Sequence, residues 1–540
     1  MLGQMMQHPL TTTDLLRHAA RNHGDVEIVS RTTEGPLHRY SYFDAWHRTQ
    51  QLAHALTQLG IGQGDRVATL AWNNHRHFEL YFSISGIGAI THTINPRLFP
   101  EQIRYILRHA NDRLVFADLS FIPLLEALGD GALDAVEDIV VMTDRGHMPK
   151  TTLPRVHCYE DLIHRQRNQF AFPLLPDDSA ASLCYTSGTT GNPKGVLYSH
   201  RSTVLHALAA SQRQALDISN DTVVLPVVPM FHVCAWGTPY AAAMSGAKLV
   251  LPGPRLDGPS LTELANLERV TLMLGVPTVW QGLLDHLRDT ESNLETVEKV
   301  VVGGSAASYA MIREFDEQHD IFLLHAWGMT ETSPLGTTNP LTPKMRDMDK
   351  EARYQLQLKQ GKPVFGVEIK IVDDDGATLP QNGTDFGRLL VRGPWIASSY
   401  FETEERSAFV DGWFDTGDVA TIDADGYMQI VDRAKDVIKS GGEWISSIEL
   451  ENLAQGHPSV KEACVVGVRH PKWEERPLLL LVLHPGAALA ETELLEFLAD
   501  KVAKWWLPDR VLVVDELPHT ATGKLLKTEL RERYQDVLTQ

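Results

Sequence analysis

Residues 185–195 read Tyr185-Thr186-Ser187-Gly188-Thr189-Thr190-Gly191-Asn192-Pro193-Lys194-Gly195, and this stretch decides how the rest of the chain is interpreted. Its three glycines leave backbone N–H groups free to turn toward an anion, while four Ser/Thr hydroxyls and one lysine add further donors. The stretch follows the apolar run 181–184 and precedes a helical pattern that begins near Ser199. A strand, a loop and a helix in this order are typical of phosphate-binding loops, so we predict one here rather than a flexible linker. Because Gly195 rather than Ser or Thr follows Lys194, the loop is not of the Walker type.

The composition of the chain limits the ligands that this loop can bind. The chain has 540 residues, enough for more than one domain with a core of its own. Its hydrophobic content of 43% and charged content of 22% are those of an ordinary globular protein. The formal net charge of -20 would repel nucleic acid and anionic membrane surfaces, so we expect neither as a partner. An anionic ligand must therefore be held by local N–H groups, lysines or a metal ion.

The cysteines and the N-terminus indicate a reducing compartment. Cys158, Cys184, Cys234 and Cys464 lie far apart and form no CxxC pair, which argues against a disulfide framework or a zinc site. Residues 1–8 lack a basic region followed by an apolar core, and no apolar run reaches the ~20 residues that a membrane span needs. We therefore expect a cytoplasmic protein without a signal peptide or a membrane span.

Helical and strand patterns alternate along most of the chain, which predicts an α/β fold with a mostly parallel sheet covered by helices. Helices are expected at 41–59 and 199–216, and buried strands at 66–71, 272–274 and 300–302. In such sheets, ligands bind at the carboxyl ends of the strands. Gly303-Gly304 and the stretch 325–331 follow two predicted strands. We therefore expect both stretches to meet the loop at 185–195 in one pocket.

The C-terminal third of the chain has a different pattern. From Gly361, short strands alternate with Asp/Gly turns, which predicts a β-rich subdomain. A final α+β unit is expected from Asp432, with strands at 463–468, 478–483 and 511–514 and a helix at 491–506. We therefore divide the chain into two domains. The large N-terminal domain, residues 1–431, combines layered α/β subdomains with the β-rich one, and the small C-terminal domain spans residues 432–540.

Five motifs, in the right order along the chain, resemble the adenylate-forming (ANL) superfamily of acyl-CoA synthetases. They are residues 185–195, Trp327-Gly328-Met329-Thr330-Glu331, Trp413-Phe414-Asp415-Thr416-Gly417-Asp418, Asp432-Arg433-Ala434-Lys435-Asp436 and Thr522-Gly523-Lys524. Residues 229–236 and 439–446 look like those of bacterial medium- and long-chain fatty-acid CoA ligases. The N-terminal Met1-Leu2-Gly3-Gln4-Met5-Met6 is similar both to medium-chain ligases and to 3-methylmercaptopropionate CoA ligases.

The resemblance implies two reactions in one site, with ATP and CoA as co-substrates and Mg²⁺ as cofactor. A carboxylate attacks the α-phosphorus of ATP to give acyl-AMP and pyrophosphate, and the CoA thiol then displaces AMP. Both steps gather negative charge, so cations and N–H donors are the groups expected. The implied Mg²⁺ ligands are Thr189 and Glu331, whose oxygens suit a hard cation. The alternative for Glu331 is a surface carboxylate or a helix cap.

The resemblance also assigns residues to the nucleotide. They are Thr186, Ser187, Gly188, Thr189, Thr190, Lys194, Gly304, Ala326, Trp327, Thr330, Asp418, Arg433 and Lys435. Trp327 would stack on the adenine, although most of the superfamily has tyrosine at this position. Asp418 would accept both ribose hydroxyls, and Arg433 and Lys435 would donate to the ribose and the phosphate. The alternatives are a core tryptophan for Trp327 and a turn residue for Asp418.

A third set of residues is implied to surround the acyl group. They are His232, Val233, Trp236, Gly303 and Gly304. The resemblance places His232 near the attacking carboxylate and makes Trp236 the gate of the acyl tunnel, with a core aromatic as the alternative for Trp236. Cys234 stands where close relatives usually carry asparagine, which removes an amide near the acyl pocket.

The implied catalytic residues are Lys524, His232 and Lys439. Lys524 can reach the loop at 185–195 only if the small domain folds over the large one, and its charge then meets the charge that develops at the α-phosphate. The alternative is a solvated surface lysine. After adenylation, the small, mobile domain would rotate about the hinge Asp432 and present Lys439 with the CoA-binding residues. Those residues are Ser440, Gly441, Gly442, Glu443, Trp444 and Glu475, with a solvated turn as the alternative for Glu475.

The predicted function is therefore an ATP-dependent fatty acyl-CoA synthetase for medium- to long-chain acids, which by resemblance forms a homodimer. The main alternative is a CoA ligase for 3-methylmercaptopropionate. An adenylating domain that loads a carrier protein lacks support, because no carrier motif follows Lys524. A catalytically dead homologue is disfavoured because Lys194, Glu331, Asp418 and Lys524 are all present. A luciferase-like oxygenase would share the adenylation motifs.

Overall fold

The computed structural model describes residues 1, 3–129, 131–186, 192–404, 406–440, 443–520 and 524–539, and for residues 443 and 444 it describes the backbone alone. The helices of these residues are α1 (Thr12–Asn22), α2 (Tyr42–Gln58), α3 (His75–Gly86), α4 (Pro100–Ala110), α5 (Ile122–Ala127), α6 (Tyr159–His164), α7 (His200–Ala210), α8 (Thr238–Ser245), α9 (Gly258–Glu268), α10 (Pro277–Thr290), α11 (Tyr309–His319), α12 (Pro343–Arg346), α13 (Lys350–Gln357), α14 (Ser447–Gln455), α15 (Glu491–Ala499) and α16 (Lys527–Tyr534).

The strands alternate with these helices in the first two thirds of the chain and follow one another more closely after residue 360. They are β1 (Glu27–Arg31), β2 (Leu37–Ser41), β3 (Arg66–Leu70), β4 (Ile90–Thr93), β5 (Leu114–Ala117), β6 (Asp138–Val141), β7 (Val156–Cys158), β8 (Ala180–Tyr185), β9 (Gly195–Ser199), β10 (Val223–Pro226), β11 (Lys248–Leu251), β12 (Leu272–Gly275), β13 (Lys299–Val302), β14 (Phe322–Trp327), β15 (Thr337–Asn339), β16 (Lys362–Pro363), β17 (Glu368–Val372), β18 (Phe386–Arg392), β19 (Phe409–Val410), β20 (Trp413–Ile422), β21 (Met428–Arg433), β22 (Ile438–Ser440), β23 (Glu443–Ile445), β24 (Val460–His470), β25 (Glu474–Leu483) and β26 (Arg510–Val513).

Two mostly parallel sheets form the frame of the N-terminal part. In the first sheet the strands follow the order β16-β15-β14-β13-β12-β10-β11-β1-β2, and those from β14 to β1 run parallel. In the second sheet the order is β7-β6-β5-β3-β4-β8-β9, and β9 alone among these strands is antiparallel to its neighbour. The predicted α/β fold with mostly parallel sheets is therefore confirmed.

The remaining two sheets correspond to the β-rich subdomain and the C-terminal α+β unit. Strands β17-β18-β20-β19, with β21 on β20, form an antiparallel sheet. Strands β23-β22-β25-β24, with β26 parallel to β25, form the last sheet. The change of sheet falls between Arg433, the last residue of β21, and Ile438, the first of β22. The domain division at residue 432 stays a prediction.

Both N-terminal sheets are buried on two faces, as parallel sheets require. In β13, Val301 packs into the central core, whereas Val300 and Val302 pack into the outer core against α9, α10 and α11. The central core lies between the two sheets and includes apolar residues of α1, α3, α7 and α8. This arrangement leaves the carboxyl ends of β8, β10, β13 and β14 as the edges at which loops can hold a ligand.

The predicted order of strand, loop and helix at residues 181–199 is wrong. Strand β9 lies between the loop and α7 and pairs antiparallel with β8, so that Tyr185 stands opposite Gly195. The loop therefore closes a hairpin, and α7 begins only after Ser199, whose hydroxyl accepts the N–H of Ser202 at 3.0 Å. Val196 and Tyr198 are buried while Leu197 is exposed. That alternation is the sign of a half-buried strand.

Two predicted helices are too long. The helix expected at 199–216 ends at Ala210, because the chain then turns so that Ala215 and Leu216 enter the central core. The helix expected at 491–506 ends at Ala499 and is followed by a short 3₁₀ turn, Lys504–Trp506. Val502 and Trp506 reach the C-terminal core through this turn rather than along a helix face. Within the described part of the chain, no helix is long and apolar enough to cross a lipid bilayer.

Candidate active site

The base of the loop at 186–194 is closed by two hydrogen bonds between its ends. The N–H of Thr186 donates to the carbonyl oxygen of Lys194 at 2.9 Å, and the N–H of Lys194 donates to the hydroxyl of Thr186 at 3.0 Å. Thr186 thus helps to close the base of the loop. The other hydroxyl and glycine positions predicted for the nucleotide and for Mg²⁺ in this loop lie outside the described residues: Ser187, Gly188, Thr189 and Thr190.

Tyr400 connects this loop to the predicted magnesium ligand Glu331. Its hydroxyl donates to Glu331 Oε1 at 2.7 Å, and the ammonium of Lys194 lies over its ring, 4.9 Å from the centroid. Glu331 belongs to the short turn Thr330–Thr332 that follows β14. The structure therefore brings together Lys194 and Glu331, which are far apart in sequence.

Glu331 is a buried carboxylate among other charged groups. Burial raises its pKa above the ordinary value, while the hydrogen bond from Tyr400 and the charge of Arg433 act in the opposite direction. Among the described residues, no group of three or more metal-ligating side chains exists. A single buried carboxylate fits a Mg²⁺ ion whose remaining ligands are phosphate oxygens and water, which is the usual arrangement for this ion.

Asp418 on β20 is held from two sides. The indole N–H of Trp327 donates to Oδ2 at 3.1 Å, and Nε of Arg433 lies 3.0 Å from Oδ1. The carboxylate is buried, although two oxygens still offer lone pairs to further donors. Gly336 permits this arrangement, because a Cβ at that position would lie 2.4 Å from the Trp327 ring.

The other predicted nucleotide residues surround these side chains. Ala326 precedes Trp327 on β14, and Gly304 follows β13 with a left-handed φ of 80°. Thr330 is buried, and its carbonyl oxygen accepts the hydroxyl of Tyr198 at 2.7 Å. Lys435 is exposed in the turn after β21. All but Lys435 thus lie at or beside carboxyl ends of strands in the first sheet.

Two of the predicted acyl residues, Val233 and Trp236, lie on a strained turn after β10. Backbone φ is positive at Val233, Cys234, Ala235 and Trp236, with values of 43° to 56°, and it is 70° at Gly237. A run of left-handed residues is uncommon because each non-glycine costs roughly 1–2 kcal/mol. The Trp236 ring packs so closely on Gly303 that a Cβ there would lie 2.8 Å from Cη2. Trp236 and Gly303, two of the acyl residues predicted from sequence, are therefore in contact.

Asn73, at the end of β3, fixes the chain that leads into this turn. Its amide nitrogen donates to the carbonyl oxygens of Pro226 and Val228 at 2.8 and 2.9 Å. Its amide oxygen accepts the N–H of Met230 at 2.6 Å. Because Asn73 follows β3 of the second sheet and Pro226 ends β10 of the first, this side chain links the ends of strands from the two sheets.

His232 precedes the turn and is uncharged at neutral pH. Desolvation lowers its pKa to about 4, and the positive charge of Lys524 acts in the same direction. The neutral imidazole can therefore donate and accept hydrogen bonds but supplies no charge.

Cys234, within the turn, is buried, and its sulfur lies 3.8 Å from the sulfur of Cys184 on β8.

Lys524 reaches the same cleft from the other end of the chain. Its side chain is accessible to solvent, yet desolvation by the surrounding protein lowers its pKa to about 8. Arg433 acts in the same direction, whereas Asp418 and Glu331 oppose it. The ammonium therefore lies close enough to Asp418, Glu331 and Arg433 for their charges to act on it, and close enough to His232 to help keep that imidazole neutral.

Asp432 lies where the β-rich sheet meets the C-terminal unit. Its buried carboxylate accepts the N–H of Ser447 at 2.9 Å and also the Ser447 hydroxyl, at the start of α14. Burial raises the pKa of Asp432, and the nearby charge of Lys527 opposes this rise. Lys527 in turn pairs with Glu451 at 2.7 Å. The predicted hinge residue is thus a polar contact point between the two units.

The predicted CoA-binding residues form a separate group on the C-terminal sheet. The N–H of Lys439 donates to Glu475 Oε2 at 3.0 Å, and Arg476 donates to the hydroxyl of Ser440 at 3.1 Å. Glu475 and Arg476 lie on β25, so the alternative of a solvated turn is wrong. Gly441 and Gly442 lie outside the described residues, as do the side chains of Glu443 and Trp444.

Two residues of the site were not predicted. Asn73 could have been found from the sequence, because a pair of asparagines lies just after a predicted strand. No sequence pattern identifies Tyr400, since it lies between short strands in a stretch without a local motif.

Comparisons with known proteins identify the family of the chain. Residues 16–401 match the family described as AMP-binding enzyme, and residues 449–524 match the AMP-binding enzyme C-terminal domain. The chain is therefore an AMP-binding enzyme.

Two relatives and one solved structure narrow the class. The chain is 52% identical to 3-methylmercaptopropionyl-CoA ligase of Ruegeria lacuscaerulensis, with all of both chains covered. It is 50% identical to the medium-chain-fatty-acid--CoA ligase of Ectopseudomonas oleovorans, covering 100% of this chain and 98% of that one. The anthranilate CoA ligase AuaEII in complex with anthranoyl-AMP superposes with a TM-score of 0.87 at 26% identity, covering 98% and 99%. The chain belongs to the adenylate-forming acyl-CoA synthetases, as its motifs predicted.

Proposed function

We propose that this protein converts a medium- to long-chain fatty acid, ATP and CoA into acyl-CoA, AMP and pyrophosphate, in two steps through an acyl-AMP. The observation that carries the proposal is that Lys524, from the C-terminal unit, lies near enough to Asp418, Glu331 and Arg433 for their charges to act on its ammonium. Asp418 and Glu331 are themselves buried. The match to a ligase in complex with its acyl adenylate supports the same chemistry.

In the first step, the substrate carboxylate attacks the α-phosphorus of ATP. Asp418, held by Trp327 and Arg433, accepts the ribose hydroxyls and thereby orients the nucleotide. Lys194 and the loop at 186–194 hold the phosphates that leave as pyrophosphate. Lys524 stabilises the charge that develops between the carboxylate and the α-phosphate, and neutral His232 donates a hydrogen bond to the carboxylate. Thr186, Gly304, Ala326, Thr330 and Lys435 complete the nucleotide site.

Mg²⁺ belongs to this step as a proposed cofactor. Glu331 and Thr189 would hold it, and the ion would neutralise charge on the phosphate oxygens. Glu331 is suited to this role because its carboxylate is already fixed by Tyr400.

In the second step, the CoA thiol displaces AMP from the acyl adenylate. We propose that the C-terminal domain rotates about Asp432, which withdraws Lys524 and presents Lys439 with the CoA-binding residues. In support, the N–H of Lys439 bonds to Glu475 and Arg476 bonds to Ser440, so these residues are attached to the same sheet. One movement of that sheet would exchange them for Lys524. We further propose that the protein is cytoplasmic. We also propose that it forms a homodimer, and size-exclusion chromatography with light scattering will test this oligomeric state.

The second candidate substrate is 3-methylmercaptopropionate. The 52% identity to a ligase named for this acid, against 50% for a medium-chain ligase, favours it. The acid is a short thioether, so the two candidates differ both in chain length and in the sulfur atom.

A carboxylate series with a carbon isostere separates the candidates. CoA-dependent AMP release is measured for each acid from propionate to palmitate and for 3-methylmercaptopropionate. Pentanoate is the matched control, because it replaces the thioether sulfur with a methylene. The proposal predicts that kcat/KM rises with chain length and that pentanoate equals the thioether acid. A maximum at 3-methylmercaptopropionate, well above pentanoate, would instead establish the second candidate. AMP release without CoA, or none with any acid, would contradict both.

A further inference from the structure

A short segment outside the recognised motifs touches both halves of the proposed triphosphate site. Residues 395–401, here called the bridging segment, lie between β18 and β19. The N–H of Ala397 donates to the carbonyl oxygen of Glu331 at 2.8 Å. The N–H of Phe401 donates to the carbonyl oxygen of Gly195, at the end of the loop, also at 2.8 Å. The bridging segment is therefore tied at one end to the backbone of Glu331 and at the other to the end of the loop.

Tyr400 makes the same connection with its side chain. Its hydroxyl is a fixed donor to Glu331 Oε1 at 2.7 Å, and its ring face lies beneath the Lys194 ammonium at 4.9 Å. Phe409 packs against the ring edge, with 5.4 Å between centroids, which restrains the ring. One rigid side chain thus contacts both the cation and the carboxylate.

The physical need for such a contact is clear from the groups involved. A buried carboxylate requires donors that hold it in one orientation, and a lysine side chain has many rotamers to lose when it binds a ligand. Tyr400 supplies a donor to the first and a restraining aromatic face to the second. The relative position of the two charges is therefore fixed before a triphosphate arrives.

We propose that Tyr400 is a positioning residue that sets the spacing between the Lys194 ammonium and the Glu331 carboxylate for binding of a Mg²⁺–triphosphate. The inference rests on the proposed function, because that function gives Lys194 to the phosphates and Glu331 to the metal. It assigns to Tyr400 no contact with the reacting atoms.

The hydroxyl and the ring can be tested separately. Tyr400→Phe keeps the ring beneath Lys194 and removes the donor to Glu331, whereas Tyr400→Leu removes both the ring and the donor. Tyr354→Phe is the matched control, because its hydroxyl donates to a carboxylate, Asp316, at 2.6 Å on the far side of the first sheet. Binding of α,β-methylene-ATP, which cannot be adenylated, is measured by calorimetry with and without Mg²⁺, and AMP binding is measured alongside.

We expect Tyr400→Phe to weaken binding of the analogue about tenfold with Mg²⁺ and to leave Mg²⁺-free binding and AMP binding unchanged, because the Glu331 carboxylate has lost the hydroxyl donor that orients it for Mg²⁺. Tyr400→Leu should weaken binding in both conditions, and Tyr354→Phe in neither. Steady-state KM should rise for MgATP but not for the carboxylate.

Two results would overturn the inference. Equal affinity of Tyr400→Phe and the parent protein for the Mg²⁺ complex would show that the hydroxyl positions nothing. Equal losses for AMP and for the Mg²⁺–analogue would show a general structural role. These two results differ from a failure of the proposed function, in which the parent protein itself would not bind the analogue. In that case the inference about Tyr400 would be wrong as well.

Discussion

Trp327 has a role beyond the stacking on adenine that the motif predicts. Its indole N–H donates to Asp418 at 3.1 Å. Asp418 is thus oriented by a neutral donor on one oxygen and by Arg433 on the other. The sequence motif predicts the stacking but says nothing of this hydrogen bond.

Trp327→Phe should therefore raise KM for ATP about tenfold while leaving KM for the carboxylate unchanged, because a hydrogen bond to a charged group contributes about 1.5–3 kcal/mol. Trp280→Phe is the control: its indole N–H donates to the Val301 carbonyl at 3.1 Å in the outer core, away from the cleft. That variant should lower the melting temperature without changing KM for ATP. If Trp327→Phe binds ATP like the parent protein, the indole N–H does not orient Asp418.

Lys524 should give adenylation an alkaline limit. Its pKa of about 8 means that the ammonium is present below that pH and is lost as the pH rises through it. We expect kcat/KM for pyrophosphate release to fall above about pH 8. The pH at which kcat falls should be higher, because bound ATP adds negative charge beside the lysine and raises its pKa. Lys524→Arg should be slower but should lack this limb, since arginine stays charged. An identical alkaline limb in Lys524→Arg would assign the limb to another group.

The identity of the charged residues follows from motifs, whereas their partners do not. Glu331, Asp418 and Lys524 are recognisable because each stands in a short, ordered pattern. Tyr400 and Asn73 are defined by contacts between segments remote in sequence, and a local pattern carries no such information. The structure was needed to find them.

Among the secondary structure elements, the buried strands were the most predictable. Val300 to Val302 forms a continuous apolar run because β13 is covered on both faces. The left-handed turn Val233–Gly237 was not predictable, because four of its five residues are not glycine and adopt positive φ against their intrinsic preference. The hydrogen bonds of Asn73 and the packing of Trp236 on Gly303 hold the turn in place, and both are tertiary contacts.

That packing predicts an effect of Gly303→Ala on acyl selectivity. The new Cβ would lie 2.8 Å from the Trp236 ring and force it away from β13, so kcat/KM for the preferred acid should fall about tenfold or more with little change in KM for ATP. Gly282→Ala is the control, because a Cβ in that position of α10 meets nothing within 4 Å. It should leave all kinetic constants unchanged. An unaltered acyl profile in Gly303→Ala would exclude Trp236 as the gate.

At the scale of the whole molecule, residues remote in sequence are brought near one another. Lys194, Glu331 and Asp418 come from the N-terminal sheets and the β-rich sheet, and the C-terminal unit adds Lys524. Asp432, bonded to Ser447 beside Lys527, lies at the junction of the two. A site completed by a separate unit can be opened and rebuilt for the second step, which the proposed rotation requires.

The most direct test of this account is to measure the two half-reactions of Lys524→Ala separately. Pyrophosphate release from acid and ATP should fall on the order of a hundredfold or more, because the variant lacks the charge that meets the developing negative charge. Acyl-CoA formation from supplied acyl-AMP and CoA should proceed at nearly the parent rate. Lys501→Ala, which removes an exposed lysine of the same domain whose Nζ bonds to the Phe497 carbonyl, should leave both half-reactions unchanged. Equal loss of both half-reactions in Lys524→Ala would contradict the assignment of Lys524 to adenylation alone.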